Sequence, residues 1–549
     1  MKTEPRSGSH QLNLRQSPEV LLMAVLSFLP MLWRASLGTA RWPNDDSWAY
    51  EQIFSTLYRT GHLELIDWND ITLLGMFLPA RIWVAVFGNG QIQLHLLGAT
   101  MGFLSLLGLR SALRSVGSRR RVITLTIFAT FSGFIMTTGT FMADLFALAG
   151  SMWSLALVLA AVQPARSAAA ARRLVVASAL CALFAFTVRQ QSIVATGVVA
   201  IVLFATRNER APRQWLRYSA IVVVPGFVFY VWRMGLDNGG STILQINARL
   251  VIAGGAVWVV LVGCALAPLA LYSGRPLSRR QFGVRVGISL FAGIGAGLFD
   301  FSSYVNDYGS YAARVANFGS VARGLSVVII TQALLFVGQS IVRVKWAQQS
   351  TVTTALAIGL GVMVLADLAS ISISSDFYSR YALATLAVAL ILASTTFEIP
   401  AAKSRYNPAG HIVLATLILA GYWSFDHTLR TSEAVARVAD LAACAGIPAQ
   451  QLDAGLVWMG WHSDAVAVSR FSELPLIQDG LPPTGHHRIF PGTIRNAVVT
   501  ESEPVSIGQD EIFGPFRSSG NLPGNNGQIW ISVRAEFATA FETCMQAAP

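Results

Sequence analysis

Carboxylates and arginines lie at the ends of several apolar segments in this sequence. Asp45 and Asp46 follow the first apolar segment, and Asp144 begins another with no polar loop around it. Arg189 and Arg380 also lie at segment ends. Ionisable groups at a membrane boundary are costly unless they bind a ligand or exchange a proton. The set suits a lipid-phosphate substrate, because arginines bind phosphate through charge-assisted hydrogen bonds and a carboxylate can deprotonate an acceptor hydroxyl.

The composition places these residues in a polytopic membrane protein. The chain of 549 residues is 53% hydrophobic and 13% charged, with a mean hydropathy of +0.52. That is too little charge to cover a soluble globule. The net charge of +11 would suggest a nucleic-acid partner in a soluble chain, but 23 of the 40 basic residues fall in seven short loops on one face. This pattern is an orientation signal, so we predict no nucleic-acid partner, a cytoplasmic N-terminus and an extracytoplasmic C-terminus.

About thirteen apolar segments approach the length of about 17–25 residues that a membrane span needs. Two of them, 174–188 and 192–206, are short, and merging them into one bent span would place basic loops on opposite faces. We therefore predict an all-α polytopic membrane domain over 18–426, after a cytoplasmic disordered stretch, 1–17. The predicted spans lie near 18–38, 91–111, 121–142, 145–162, 174–188, 192–206, 217–235, 249–272, 285–299, 321–341, 352–372, 381–397 and 410–426.

The first outer loop, 39–90, is too apolar to be an ordinary solvated loop. Tyr50, Ile53 or Phe54, and Leu57 repeat at helical spacing along one face. An amphipathic helix of this kind lies flat in the membrane interface. We predict one such helix here and a second over the later part of the loop.

The tail, 427–549, lacks long apolar runs and contains short alternations of apolar and polar residues. Alternation of this kind is typical of strands, so we predict a small α/β extracytoplasmic domain. Cys444 and Cys544 both lie in this tail. An oxidising compartment would allow them to pair, and the pairing is left open at this point.

The loop after the first span resembles that of a known group of membrane enzymes. It reads Asn44-Asp45-Asp46-Ser47-Trp48-Ala49-Tyr50, followed by Gly61-His62. It is similar to the first outer loop of the GT-C superfamily of polyprenyl-phosphate-sugar-dependent glycosyltransferases, close to the protein O-mannosyltransferase and aminoarabinose-transferase-like branch (glycosyltransferase family 39). That branch has an Asp-x-x-x-Tyr motif, which Asp46 and Tyr50 match. The resemblance implies that Asp46 is the catalytic base, or Asp45 if the loop is shifted by one residue.

Motifs further along the chain continue the resemblance in the same order. They are Phe141-Met142-Ala143-Asp144, Phe186-Thr187-Val188-Arg189-Gln190, Asp376-Phe377-Tyr378-Ser379-Arg380-Tyr381 and Asp453-Ala454-Gly455-Leu456-Val457-Trp458-Met459-Gly460-Trp461. They resemble a Phe-Met-x-Asp element, an Arg-Gln element, an Arg-Tyr element and an Asp-Gly-Gly-x-x-Trp-x-Gly-Trp stretch. The order and spacing of these motifs agree with those of the superfamily over about 460 residues. Ser47 and Met459 depart from the common pattern, which leaves the sugar and the acceptor open.

The resemblance implies a GT-C-like fold and a membrane glycosyltransferase that transfers a hexose or pentose with inversion. The donor is a polyprenyl-phosphate-linked sugar, and a lipid, glycan or protein hydroxyl is the acceptor, at the outer face of the bacterial plasma membrane. Membrane lipids are the remaining partners. Arg189 and Arg380 are expected to bind the donor phosphate, and Asp144 the acceptor or a metal. Further predicted substrate contacts are Tyr50, Trp48, Gln190, Tyr381, Asp67 and Trp68.

Two questions stay open from the sequence. Paired acids such as Asp46 and Asp144 allow a divalent cation, Mg²⁺ or Mn²⁺, without requiring one. A secondary transporter or a flippase for lipid-linked sugars is the alternative function. Transporters place charged residues near the middle of the membrane, on broken helices within inverted repeats. Here the acids cluster at one boundary, the span number is odd and no repeat is visible, which favours the transferase.

Overall fold

The computed structural model of the chain is dominated by long helices. A small sheet lies near the C-terminal end. The structure describes residues 18–40, 42, 46–66, 72–207, 213–235, 248–272, 279–298, 320–373, 379–397, 408–462, 495–501, 510–517 and 528–547. The predicted disordered stretch 1–17 lies outside these residues.

The helices are numbered here in chain order. The first nine are α1 Pro18–Ser36, α2 Ser47–Thr60, α3 Phe77–Phe87, α4 Gln91–Ala112, α5 Ser118–Ala129, α6 Ser132–Thr137, α7 Ala143–Ala161, α8 Ala168–Val188 and α9 Ser192–Ala205. The others are α10 Gln214–Met234, α11 Ala248–Tyr272, α12 Arg279–Leu298, α13 Ser320–Val342, α14 Thr351–Ile373, α15 Leu383–Thr396, α16 Pro408–Cys444, α17 Leu456–His462 and α18 Ala535–Ala547.

Each predicted span overlaps one or more of these helices. Within the described residues, ten helices are long and apolar enough to cross a bilayer, and three shorter apolar helices accompany them. The separation of 174–188 from 192–206 is also present, as α8 and α9. The prediction of an all-α membrane domain is confirmed, and the exact number of spans stays a prediction.

The segment 121–142 differs from the single span that we expected. Helix α5 ends at Ala129, Phe131 is extended (φ −65°, ψ 134°), and α6 is a separate short helix. Threonine hydroxyls bond to nearby backbone carbonyls here, including Thr130 to Thr126 at 2.7 Å and Thr138 to Phe134 at 2.6 Å. Such bonds compete with regular helix geometry, which accounts for the break.

Helix α7 lies at the centre of the membrane domain. It packs against α4, α8, α9 and α15, and most of its side chains are buried. Small residues allow this close packing: a Cβ added at Gly150 would lie 2.7 Å from the carbonyl oxygen of Cys181 on α8. Small side chains at such contacts let helix backbones approach each other. The first residues of α7, including Asp144, are therefore held rigidly.

The first outer loop forms the two predicted helices, α2 and α3. On α2, Tyr50, Ile53 and Phe54 are all buried, so the predicted apolar face packs inward. On α3, Leu78 and Ile82 are 68% and 62% exposed. An apolar row exposed at a spacing of four residues is suited to contact with lipid. The prediction of helices in this loop is confirmed.

The tail forms the α/β unit that the sequence predicted. Strands β1 Leu452–Asp453, β2 Ala497–Glu501, β3 Asp510–Arg517 and β4 Gln528–Arg534 form one sheet in the order β1-β2-β4-β3. Strand β1 pairs with β2 in parallel, and the other two pairs are antiparallel. Side chains from β4, α18 and the last turns of α16 form its core.

Helix α16 connects this tail to the membrane domain without a break. Its 37 residues make it roughly 55 Å long, about twice the thickness of a hydrocarbon core. It therefore runs through position 427, where the sequence suggested that the tail begins. Cys444, its last residue, is joined to Cys544 of α18 by a disulfide.

Candidate active site

A chain of ion pairs links residues from four separate segments of the sequence. Arg380 Nη2 donates to Asp46 Oδ2 at 2.6 Å. Arg380 Nε lies 3.9 Å from Asp144 Oδ2, and Asp144 Oδ1 is paired with Arg189 Nη1. The order of the chain is therefore Asp46, Arg380, Asp144, Arg189. Two acids and two arginines alternate, so each carboxylate faces a guanidinium.

Helix ends position all four members. Asp46 directly precedes α2, and Asp144 is the second residue of α7. Arg189 follows the last residue of α8, and Arg380 lies in the 3₁₀ turn Ser379–Ala382 that leads into α15. The sequence predicted that these residues converge at one membrane boundary, and the structure places them next to each other. Their chemical roles stay predictions.

Two tyrosines complete the cluster. The Tyr381 ring contacts both arginines, with its centroid 4.7 Å from Arg189 Cζ and 5.3 Å from Arg380 Cζ. Guanidinium groups at these distances are attracted to the ring face. Tyr50 on α2 is 4% exposed, and burial together with the Asp46 charge holds its pKa well above the ordinary value. Its hydroxyl is thus neutral and can donate a hydrogen bond.

Gln190 connects Thr72, in the later part of the first outer loop, to the end of α8. Its Oε1 accepts a hydrogen bond from the backbone N–H of Thr72 at 3.1 Å. The Thr72 hydroxyl donates to the Phe186 carbonyl at 2.7 Å, and Leu73 N donates to the Val188 carbonyl at 2.8 Å. The side chain predicted to contact substrate therefore has a structural contact next to Arg189.

Trp48 joins the site to the tail. It is 1% exposed and packs on Gly460 of α17. Gln52 Nε2 also donates to the Gly460 carbonyl at 2.8 Å, and the rings of Trp42 and Trp458 stack with centroids 5.9 Å apart. The motif at 453–461 thus packs against the first two turns of α2, which directly follow Asp46 in the sequence.

Substitution of Gly460 by alanine is expected to lower activity by disturbing this packing. The new Cβ would lie 2.3–2.5 Å from ring carbons of Trp48, so the indole must move and α2 with it. A displacement of about 1 Å at a reacting group can cost about 100-fold in rate. Turnover of the donor measures the effect, with Gly361→Ala as the control because nothing lies within 4 Å of the added Cβ there. Equal turnover in the two variants would contradict the expectation.

A buried polar network beneath α2 was not found from the sequence. Glu51 Oε1 lies 2.8 Å from His95 Nε2, and both side chains are fully buried. His95 Nδ1 lies 2.8 Å from the Ala40 carbonyl, which can only accept, so Nδ1 carries a proton. The contact between His95 Nε2 and Glu51 Oε1 needs a further proton, carried by the imidazole or by the carboxyl group. Arg34 is also buried and donates to the Trp42 carbonyl at 3.0 Å. The network holds α2 against α1 and α4.

A sequence signal for this network exists but is incomplete. His95 is the only histidine in the predicted span 91–111, and Glu51 is the only acid in the amphipathic stretch 50–58. Buried polar groups are almost always hydrogen-bonded. The rule predicts that each has a partner, but not that they are partners of one another.

Three predicted site residues, Asp45, Asp67 and Trp68, lie outside the described residues. Their proposed roles as the alternative base and as sugar contacts stay predictions.

The described residues do not fit the divalent cation that paired acids allow. Asp46 is paired with Arg380 and Asp144 with Arg189. A cation at either carboxylate would compete with the positive charge of the neighbouring guanidinium groups. Among the residues that the structure describes, no group of three or more His, Cys, Asp or Glu side chains has metal-site geometry. No chemical step proposed below depends on a metal.

A cleft opens beside the ion pairs, and the space within it and in its open mouth together amounts to about 860 Å³. Asp144, Arg189, Arg380 and Tyr381 line one part of it, and the rest lies between α7, α9, α14 and α15. Asp367 of α14 also lines the wall, and the sequence analysis did not identify it. The ion pairs therefore border a space that a substrate can enter.

Gly133 of α6 controls the position of Arg380. A Cβ there would lie 2.7 Å from the Ser379 carbonyl group and 2.8 Å from Arg380 N. Because these are backbone atoms, Gly133→Ala must shift the turn that carries Arg380. We expect a loss of about 1–3 kcal/mol in stability and a turnover reduced about 10- to 100-fold. Gly197→Ala on α9, where the added Cβ has open space, is the control, and a Gly133→Ala variant as active as this control would refute the assignment.

Comparisons with known proteins give remote structural similarity only. No family model and no curated protein matches the chain. The chain is similar to ArnT from Cupriavidus metallidurans bound to undecaprenyl phosphate, with 16% identity, a TM-score of 0.41, and coverage of 79% of this chain and 80% of that one. It is also similar to the Archaeoglobus fulgidus oligosaccharyltransferase in complex with zinc and sulfate, with 15% identity, a TM-score of 0.40, and coverage of 77% and 55%.

A third similar structure is the arabinofuranosyltransferase AftD from Mycobacteria. The identity is 13%, the TM-score is 0.40, and the matched region covers 94% of this chain and 42% of that one. All of these TM-scores lie below 0.5. The function of this chain therefore has to be inferred from its own residues.

Proposed function

We propose that this chain is a membrane glycosyltransferase that moves a sugar from a polyprenyl-phosphate carrier to an acceptor hydroxyl. The observation that carries the proposal is the chain of ion pairs Asp46, Arg380, Asp144 and Arg189 beside a cleft in a membrane domain. Phosphate-binding and proton-accepting groups thus lie within one site. The motif resemblance supports the same function and an outer-face location in a bacterial plasma membrane.

The proposed reaction is a single inverting displacement. The Asp46 carboxylate takes the proton of the acceptor hydroxyl as the acceptor oxygen attacks the anomeric carbon. The bond between that carbon and the phosphate oxygen breaks on the opposite face, and the phosphate leaves with the electron pair. General-base assistance of this kind typically contributes about 10²–10⁴-fold in rate.

The arginines have two tasks in this proposal. Before the reaction they balance Asp46 and Asp144, because two uncompensated carboxylates in a buried site are costly. During the reaction they stabilise the negative charge that develops on the leaving phosphate. The Tyr381 ring contacts both guanidinium groups and restricts their orientation. Asp144, paired with Arg189, fixes that arginine and is a candidate contact for the acceptor.

The test is donor turnover by the purified protein in liposomes. A panel of polyprenyl-phosphate sugars serves as donors, and a membrane extract supplies acceptors. We expect release of free polyprenyl phosphate together with labelled sugar in a new product. If no donor is consumed while labelled lipid or sugar crosses the bilayer, the protein is a transporter or flippase and the transferase proposal fails.

A further inference from the structure

The cleft beside the ion pairs carries polar groups among the apolar side chains that form most of its wall. Besides the ion pairs, Tyr381 and Gln191, its polar groups are the carboxylate of Asp367 and the hydroxyls of Ser151, Ser192, Ser370 and Thr385. Ser151 and Thr385 are almost completely buried, at 6% and 1% exposed. Such groups are costly next to a purely apolar ligand, because they would lose water without gaining hydrogen bonds.

Asp367 is the most costly of these groups. It lies within α14, one of the helices long and apolar enough to span a membrane. Trp258 Nε1 donates to its Oδ2 at 2.9 Å. A carboxylate has about four acceptor positions on its two oxygens, so Trp258 and the adjacent Thr385 hydroxyl use only part of its capacity. An ionisable residue inside a membrane span is by default a candidate for function.

Thr385 lies beside the Asp367 carboxylate. Its buried hydroxyl has no hydrogen bond of ordinary geometry to any residue that the structure describes. Thr385 belongs to the first turn of α15, directly after Arg380 and Tyr381. A ligand held by Arg380 can therefore approach the Asp367 carboxylate, which the buried Thr385 hydroxyl adjoins.

The depth of the cleft shows which part of a donor can reach these groups. Asp144 and Ser151 both line it and are seven residues apart on α7, which is roughly 10 Å along the helix. Asp367 is six residues from the end of α14, or roughly 9 Å. A phosphate at Arg189 and Arg380 leaves the deeper space to a group attached to that phosphate.

We propose that this deeper space binds the sugar of the donor and that Asp367 accepts a hydrogen bond from a hydroxyl or amine of that sugar. The inference rests on the proposed function and extends it to recognition of the sugar. An isoprenoid chain, the other group attached to the phosphate, offers no hydrogen-bond donor to Asp367 or Thr385. A sugar ring offers several, so the lining of the cleft favours the sugar.

The test compares binding of the bare carrier with binding of sugar-loaded carriers. The probes are undecaprenyl phosphate and undecaprenyl phosphates that carry glucose, mannose, arabinose or N-acetylglucosamine. The proteins are wild type, Asp367→Asn, Asp367→Ala and Thr385→Val. The controls are Asp440→Asn and Thr395→Val, which change exposed side chains on α16 and α15 outside the cleft. Size-exclusion profiles in detergent verify that each variant is folded.

We expect the wild type to bind at least one sugar-loaded carrier more tightly than the bare carrier. Asp367→Asn, Asp367→Ala and Thr385→Val should weaken that complex, by about 10- to 100-fold for Asp367→Ala, because a hydrogen bond to a charged group is lost. Their affinity for undecaprenyl phosphate should change by less than about twofold, as in the controls.

Other outcomes overturn the inference in distinguishable ways. An equal loss for bare and loaded carriers would mean that Asp367 acts on the carrier or on folding. Unchanged binding in the folded variants, or a wild type that binds bare and loaded carriers equally, would mean that the cleft does not recognise sugar. A wild type that binds no carrier at all would overturn the proposed function itself.

Discussion

Asp46→Asn is expected to lower donor turnover by about 10²–10⁴-fold, the range typical for loss of a general base. Asparagine keeps the shape of the side chain and an oxygen that can accept from Arg380, but it cannot take a proton from the acceptor. The loss should fall on kcat with little change in carrier affinity, because the interaction matters only in the transition state. Release of free polyprenyl phosphate under saturating donor measures it.

A matched variant separates this effect from a general loss of carboxylate charge. Asp440→Asn removes an exposed acid on α16 and should leave turnover unchanged. If Asp46→Asn keeps more than about a tenth of the wild-type rate, Asp46 is not the base. The same measurement on Asp45→Asn then tests the adjacent carboxylate, which the motif spacing leaves as the alternative.

Much of the architecture follows from local patterns that the sequence displays directly. The length of the apolar segments identified the spans, and the spacing of Tyr50, Ile53 or Phe54, and Leu57 predicted the helix α2. The burial of its apolar face within the protein was seen only in the structure. The convergence of Asp46, Asp144, Arg189 and Arg380 was also predictable. Each lies at a segment end, and alternating spans bring such ends to one side of a membrane.

Contacts between distant side chains were less predictable. Asp367 is a single acid in an apolar span, and its contact with Trp258 depends on the rotation of two helices about their axes. The pairing of Glu51 with His95 depends on the same kind of packing. Gly133 looks like an ordinary glycine, and although Gly460 belongs to the motif at 453–461, the atoms that lie against either residue are visible only in the structure. Sequence periodicity shows which face of a helix is polar, but it does not show which residues of other helices that face contacts.

Arg380→Gln is the second substitution with a large expected effect, because this guanidinium contacts both acids of the site. We expect turnover to fall by about 10²–10³-fold, the usual cost of removing one charge-stabilising donor. Affinity for undecaprenyl phosphate should fall as well. Asp46 and Asp144, with side chains 16% and 4% exposed, would lose a cation, so the free energy of unfolding should drop by about 3–5 kcal/mol. Thermal unfolding in detergent measures that drop.

The control for Arg380 is an arginine in a partly exposed pair on α16. Arg430→Gln breaks the contact with Asp426 on α16, where the two side chains are 28% and 20% exposed. Such a pair contributes about 1 kcal/mol or less, so turnover and carrier affinity should not change. Arg380→Lys separates charge from shape, because lysine keeps the positive charge without the planar fork that can contact a carboxylate and a phosphate together. If Arg380→Gln binds undecaprenyl phosphate as tightly as wild type while its turnover falls, Arg380 positions Asp46 and does not bind the phosphate, which would leave that task to Arg189.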